Sequence, residues 1–203
     1  MVVEQAGLRV VERLSDQVVV FSDGTVHLDV AKLGVPADVY DADFAWAQHR
    51  HGVVRCFFGQ EGEAGTLHTC LQVKLSREAF VHHLWWNSRE FYERLGRRAA
   101  ARATLADPGR AALTPESWEV EKRHSLSANF TVMSHAGNEA QIDFFHLPPS
   151  GVAAWVKNKD GHGMKVSPKV RVLLTTDELF RLLQEAERIV TEIEPLVKNK
   201  DLL

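Results

Sequence analysis

Cysteines, long apolar runs and a basic leader are all lacking or scarce in this sequence. The 2 cysteines, Cys56 and Cys70, are too few for a disulfide framework, and their spacing matches no zinc-binding pattern. No stretch approaches the roughly 20 apolar residues of a membrane helix. The first residues carry acids where a signal peptide has a basic start. These absences favour a cytoplasmic protein with reduced thiols.

The charge balance and the missing motifs exclude further classes of protein. The 24 Lys and Arg residues against 27 Asp and Glu give a formal net charge of −3, which argues against a protein built around a large phosphate-binding surface. The sequence contains no G-x-S-x-G, P-loop, dinucleotide-binding or H-E-x-x-H motif. We therefore expect a binding protein rather than an enzyme, with no cofactor.

Residues that alternate between apolar and polar predict strands in the first half of the chain. The clearest hairpin runs from Gln17 to Val30, with Asp23-Gly24 at its turn. A second hairpin is predicted around His51-Gly52, and a strand over Leu67–Leu75. Apolar residues at helical spacing then predict a helix from about Arg77 to about Ala103.

The same order of elements returns in the second half. A strand is predicted over 117–124, a hairpin around Gly137-Asn138 and another strand over 166–174. A Thr175-to-Glu178 capping box predicts the start of an amphipathic helix, and Pro195 predicts its end.

The two halves also match in sequence. DFAWAQHRHGVVRCFFGQ resembles NFTVMSHAGNEAQIDFFHL, and CLQVKLSREAF resembles KVRVLLTTDELF. We predict an α+β fold of two tandem repeats, each an antiparallel sheet followed by an amphipathic helix. The repeats are 1–103 and 117–203, joined by a linker at 104–116. They either form two domains or pack as one pseudo-symmetric domain.

The second repeat combines a hairpin ending in an Asp-Phe pair, a basic-valine strand, a polar cap and a leucine-rich helix. The residues are Gln141-Ile142-Asp143-Phe144-Phe145, Lys169-Val170-Arg171-Val172-Leu173-Leu174 and Asp177-Glu178-Leu179-Phe180. This segment resembles a small bacterial domain-of-unknown-function family, and the resemblance implies no catalytic residues. The doubled layout is similar to that of the Whirly and PUR families, which implies binding of single-stranded nucleic acid on the sheets.

The predicted first helix has more aromatic surface than one buried face can absorb. Adjacent tryptophans point about 100 degrees apart on a helix, so Trp85 and Trp86 cannot both face the core, and Tyr92 flanks the same stripe. Exposed tryptophan is typical of protein interfaces; the alternative is that the second ring covers a sheet edge. The leading hypothesis is a non-enzymatic assembly protein that holds a protein partner, or a second copy as a homodimer, through its sheet faces and this helix.

A basic arm between Trp155 and Arg171 supports an alternative function. Cations beside an aromatic ring can hold a phosphate backbone and stack a base, which favours single-stranded nucleic acid. The competing interpretation is a soluble hairpin loop, in which lysines are common. The residues of this alternative are Trp155, Lys157, Lys159, Lys165, Lys169 and Arg171.

A third hypothesis is a metal site built from histidine and cysteine. His49 and His51 lie at a predicted hairpin tip, and simple alternation places His68 and Cys70 on one face of a nearby strand, with Gln72 and Lys74. The three imidazoles and the Cys70 thiolate would be the four ligands of a tetrahedral zinc site if the hairpin tip folded over the sheet. Histidine is also common on solvated faces, which is the alternative.

Overall fold

In the described part of the chain, three sheets and two long helices form an α+β fold. The computed structural model describes residues 10–22, 26–62, 67–102, 125–150 and 165–198, together with Ala153 and Lys157. The strands are β1 (Val10–Arg13), β2 (Val18–Phe21), β3 (Val26–Leu28), β4 (Val39–Asp41), β5 (Phe44–Arg50), β6 (Val53–Glu61), β7 (Leu67–Ser76), β8 (Ser125–Ser127), β9 (Phe130–Ala136), β10 (Glu139–His146) and β11 (Ser167–Thr175).

The N-terminal sheet has three strands in the order β1-β2-β3. Its β2–β3 pairing joins Val18 to Leu28 and Val20 to Val26, which confirms the first predicted hairpin. The Asp23-Gly24 turn, the strand predicted over 117–124 and the linker at 104–116 lie outside the described residues.

The two larger sheets each combine strands from both halves of the chain. One has the order β5-β6-β7-β8 and the other the order β9-β10-β11-β4. Within each sheet three consecutive strands are antiparallel, and a short strand from the other half extends them in parallel: β8 lies beside β7, and β4 lies beside β11. The halves therefore exchange edge strands. Duplication of one ancestral unit stays a prediction.

Tight turns connect the predicted hairpins where the sequence places them. His51 and Gly52 both have positive φ, 51° and 76°, the conformation that a two-residue hairpin turn requires. Gly137 has φ 62° between β9 and β10. Both predicted hairpins are confirmed.

One continuous helix, α1, follows β7 as predicted. Its first turn is α-helical (Arg77–Ala79), a π-helical segment covers Phe80–Trp85, and α-helix resumes over Trp86–Arg102. The Ser76 hydroxyl caps the start by accepting a hydrogen bond from the Ala79 amide at 3.2 Å. The sequence gives no sign of the π segment, which coincides with Thr131 donating to the His83 carbonyl at 2.7 Å.

The second helix, α2, covers Thr176–Lys198. The Thr175 hydroxyl accepts a hydrogen bond from the Glu178 amide at 3.2 Å, as the capping box predicts. The predicted end at Pro195 is wrong, because the proline lies inside the helix. Proline lacks an amide hydrogen and its ring crowds the carbonyl four residues back, so it disfavours the helix locally, yet the helix continues for three residues beyond it.

A single hydrophobic core spans both four-stranded sheets and both helices. Phe58 of one sheet meets Phe144 of the other edge-on, with ring centroids 5.7 Å apart. Helix α2 packs against β5, and the π segment of α1 packs against β9, so each helix reaches the edge strand of the other half. A smaller core joins the N-terminal sheet to the outer side of β9 and β10. No helix in the described ranges has the length and apolarity needed to cross a membrane.

Candidate functional site

Two rows of side chains cross the outer face of the β5-β6-β7-β8 sheet. In one row Gln48, Arg55, Lys74 and Ser127 lie opposite one another. In the next row the order is Trp46, Phe57, Gln72 and Ser125, and Arg50 ends β5 beside the first row. We call this surface the cationic sheet face and define it by Trp46, Gln48, Arg50, Arg55, Phe57, Gln72 and Lys74.

Strand alternation separates this face from the core. Ala47, Cys56 and Val73 come between the members of the two rows and are fully buried on the inner side of the sheet. Burial raises the pKa of the Cys56 thiol to about 12. Cys56 is therefore a packed apolar group rather than a nucleophile.

The cations of this face have no acidic partners among the described residues. Arg50 is exposed, and Arg55 and Lys74 are half-buried. In the part of the chain that the structure describes, none of the three forms an ion pair with a carboxylate. Arg55 donates to the Arg50 carbonyl at 3.2 Å, which fixes its guanidinium near the end of the hairpin. Positive charge is therefore concentrated at one end of this face.

The outer face of the other sheet is neutralised and partly covered. There Arg171 donates two hydrogen bonds of 2.7 Å to the two carboxylate oxygens of Asp143, which is buried. Hydrogen bonding to Asp143 raises the pKa of Arg171. Phe130 and Phe145 of this face pack under the N-terminal sheet. Among the described residues, three cations of the first face have no carboxylate partner, whereas β11 carries Lys169 alone beside the paired Arg171.

The residues of the predicted basic arm are only partly described by the structure. Trp155 and Lys159 lie outside the described residues. Lys157 and Lys165 are exposed, and Lys169 is half-buried. The prediction that Arg171 contacts phosphate is not supported by the geometry, because its bidentate bond to Asp143 already occupies the guanidinium.

The aromatic residues of α1 serve two different purposes. Trp85 is only 7% exposed and contacts Tyr92 at 5.4 Å between ring centroids. Tyr92 stacks on Phe180 of α2 at 5.2 Å and donates to Glu187 at 2.9 Å. Burial, then this hydrogen bond, raises the pKa of Tyr92 to about 12. These two rings thus join α1 to α2 inside the chain.

Trp86 is the member of the predicted partner-binding set that faces outward. It is 43% exposed, and the Arg89 guanidinium lies 5.4 Å from its ring centroid. A cation over an indole ring leaves the other face of the ring to solvent. The expectation that one of the adjacent tryptophans lies at the edge of the buried stripe agrees with this geometry.

The four residues of the predicted metal site lie at opposite ends of one sheet. His49 pairs with Val54 near the His51 turn, whereas His68 pairs with Gln60 toward the start of β5. A register shift inserts Cys70 as an extra residue, so simple alternation from Gln72 back to His68 is wrong. Among the described residues, no three His, Cys, Asp or Glu side chains are grouped to hold a metal ion.

His49 instead accepts a hydrogen bond from its neighbour on α1. The Arg77 Nε donates to His49 Nε2 at 3.2 Å, which requires the unprotonated imidazole. Burial and the charge of Arg77 lower the pKa of His49, against an opposing effect of Glu192. Burial, then the charge of His82, lowers the pKa of His83.

We expect the protein to lose stability as the pH falls below the ordinary histidine pKa of about 6.5. The unfolded chain binds protons on His49 and His83 there before the folded chain does, so the free energy of unfolding is highest above that pH and falls toward the folded pKa. Urea unfolding at about pH 8 and about pH 5.5 measures the loss. The double variant His49→Gln, His83→Gln is expected to lose less; an equal loss in both proteins would contradict this assignment.

Alternation along β7 predicts that Gln72 and Lys74 face outward, but Arg50 and Arg55 are not among the site residues predicted from the sequence. Arg55 alternates with Val54 and Cys56, so its own strand pattern places it on the outer face. What the pattern omits is the register that sets Arg55 opposite Lys74.

The resemblance of the second repeat to a bacterial family, and the similarity of layout to Whirly and PUR proteins, stay predictions. No protein-family model, curated protein or solved structure matches the chain.

Proposed function

We propose that the protein binds single-stranded nucleic acid on the cationic sheet face. The observation that carries the proposal is the placement of Arg50, Arg55 and Lys74 on one sheet face without carboxylate partners among the described residues. Phosphates are the natural counterions of such a group, and Arg and Lys supply most contacts to nucleic-acid backbones.

The neighbouring side chains fit a strand whose bases are accessible. Gln48 carries an amide that both donates to and accepts from base edges, and half-buried Trp46 provides aromatic surface in the second row, where Phe57 and Gln72 are buried. Bases of a single strand can stack on aromatic rings, whereas those of a duplex are already stacked on one another. The row of Arg55 and Lys74 is therefore suited to phosphates, and Trp46 is the ring of this face on which a base would stack.

The net charge of −3 restricts where the strand binds. An acidic protein repels polyanions over most of its surface, so a local group of cations determines the orientation of the bound strand. In the other sheet Asp143 neutralises Arg171, which makes that face a weaker candidate for binding phosphates. We place this binding in the cytoplasm, where Cys56 and Cys70 stay reduced.

The proposal is tested by fluorescence anisotropy with labelled single-stranded 20-mers of DNA and RNA. Neutralising about three phosphates predicts a slope of about −2 for log affinity against log salt, or about a 20-fold loss of affinity from 50 to 200 mM salt. Arg55→Glu combined with Lys74→Glu should lower the affinity by at least about 100-fold at low salt, because repulsion replaces two phosphate contacts.

A matched charge reversal separates this face from the basic arm. Lys165→Glu with Lys169→Glu makes the same change in net charge but alters Lys165, which precedes β11, and Lys169, which lies in it. We expect this control to bind nearly as the wild type does. If the control abolishes binding while the Arg55 and Lys74 variant retains it, the arm is the site and the sheet-face proposal is wrong.

A second candidate function, contact with a protein partner or a second copy, is favoured by the exposure of Trp86. Because Trp86 is 43% exposed and outside the core, Trp86→Ala should lower the free energy of unfolding by only about 1–2 kcal/mol. Light scattering coupled to size-exclusion chromatography should show a wild-type dimer that becomes a monomer in the variant. A monomeric wild type, or a variant that remains dimeric, would exclude Trp86 as a self-association contact.

A further inference from the structure

A cleft lies between the N-terminal sheet and the segment that leads into β11, on a different part of the molecule from the cationic sheet face. Its volume is about 640 Å³, within the range of small-molecule sites. Its walls come from the β1–β2 turn, the short 3-10 helix Val30–Lys32 and the residue Lys165. We call it the N-terminal cleft.

The side chain of Gln17 holds the three walls of this cleft together. Its Nε2 donates to the carbonyls of Lys32 and Val166, each at 3.3 Å, and its Oε1 accepts from the Val166 amide at 2.9 Å. Leu14, at the base, is buried in the smaller core. The cleft is thus a built feature whose walls are fixed to one another by directional bonds.

Positive charge predominates among the side chains that line the cleft. Arg13, Lys32 and Lys165 come from three separate segments, and Asp16 is the acid among the lining residues. Arg13 donates to the Asp16 carbonyl at 3.0 Å and lies 3.7 Å from an Asp29 oxygen. Among the described residues, Lys32 and Lys165 form no ion pair with a carboxylate.

We propose that the N-terminal cleft binds a small anion bearing two or more phosphates. Besides Leu14, the side chains that line the cleft are charged or polar, so they offer cations and hydrogen-bonding groups to a ligand. Cations converging from three directions match a ligand that carries several negative charges close together. This inference goes beyond the proposed function and does not depend on it.

Isothermal titration with inorganic pyrophosphate at low salt tests the proposal. The wild type should bind one pyrophosphate, and Lys32→Ala with Lys165→Ala should weaken binding by about 100-fold, about tenfold for each charge-assisted contact. Both lysines are exposed, so the variant is expected to fold. ADP provides the second probe: tighter binding than pyrophosphate indicates a nucleotide ligand, and equal binding indicates the phosphates alone.

The sheet-face variant Arg55→Glu with Lys74→Glu provides the matched control. It should retain wild-type pyrophosphate binding, because its substitutions are outside the cleft. Absence of saturable binding to the wild type, or equal binding by the Lys32 and Lys165 variant, would overturn the proposal. Loss of pyrophosphate binding in the sheet-face variant alone would assign the anion to the cationic sheet face and likewise overturn it.

Discussion

Replacing Phe144 by alanine is expected to lower the free energy of unfolding by about 3–5 kcal/mol. Phe144 is fully buried, and its ring meets Phe58 of the other four-stranded sheet edge-on at 5.7 Å. Truncation removes the apolar contacts of the ring and leaves a cavity between two sheets. Neither sheet can close the cavity alone, because strands and helices of both halves surround it.

Urea unfolding followed by both fluorescence and circular dichroism measures this loss. Val39→Ala is a suitable control in the same sheet, because Val39 is 51% exposed and its truncation should cost less than about 0.5 kcal/mol.

The shared core also predicts a single unfolding transition, in which fluorescence and circular dichroism change together, in the wild type and in Phe144→Ala. Two separate transitions, or a loss below about 1 kcal/mol for Phe144→Ala, would contradict a core common to both halves.

The elements that the sequence predicts well are those fixed by neighbouring residues. His51-Gly52 and Gly137 set tight turns through backbone conformation, and Ser76 and Thr175 begin helices through hydrogen bonds to amides three residues ahead. These interactions involve short separations along the chain, so a single sequence contains all the information they need.

The elements that the sequence does not predict depend on distant partners. β4 and β8 are only three residues each and exist as strands beside β11 and β7, which come from the other half. The π segment of α1 coincides with a hydrogen bond from Thr131 on β9. The short strands and the π segment have no periodicity or turn residue by which the sequence predicts them, because tertiary contacts determine them.

The candidate site shows the same division between local and distant information. Alternation along single strands places Arg55 and Lys74 outward, but only the register brings them together. Arg171 has the same outward pattern, and only the structure shows that Asp143 occupies its guanidinium. The sequence therefore predicts which side of the sheet a charged side chain lies on. Whether that side chain can bind a ligand depends on its neighbours on the adjacent strand.

Replacing Gly59 by alanine is expected to lower the free energy of unfolding by about 3 kcal/mol, the upper end of the usual cost of overpacking. Gly59 lies on the outer face of β6, where its neighbours are the Phe44 ring and the backbone carbonyl of His68. A Cβ at this position would lie closer to both than such atoms approach in proteins. The carbonyl belongs to the paired strand, so relief requires β6 and β7 to separate.

Gly137→Ala is the matched control for Gly59→Ala, because it isolates the backbone cost of losing a glycine. Gly137 has φ 62° and no atom within 4 Å of the Cβ position, so alanine there should cost about 1 kcal/mol. Thermal or urea unfolding compares the two, and an equal cost would show that crowding at Gly59 is relieved without moving the strands.

Because Gly59 follows Phe57 along the outer face, Gly59→Ala should also weaken binding to single strands under conditions in which the variant is folded. Gly137→Ala, at the distant β9–β10 turn, should leave that binding unchanged, which links the close strand approach at Gly59 to the shape of the cationic sheet face.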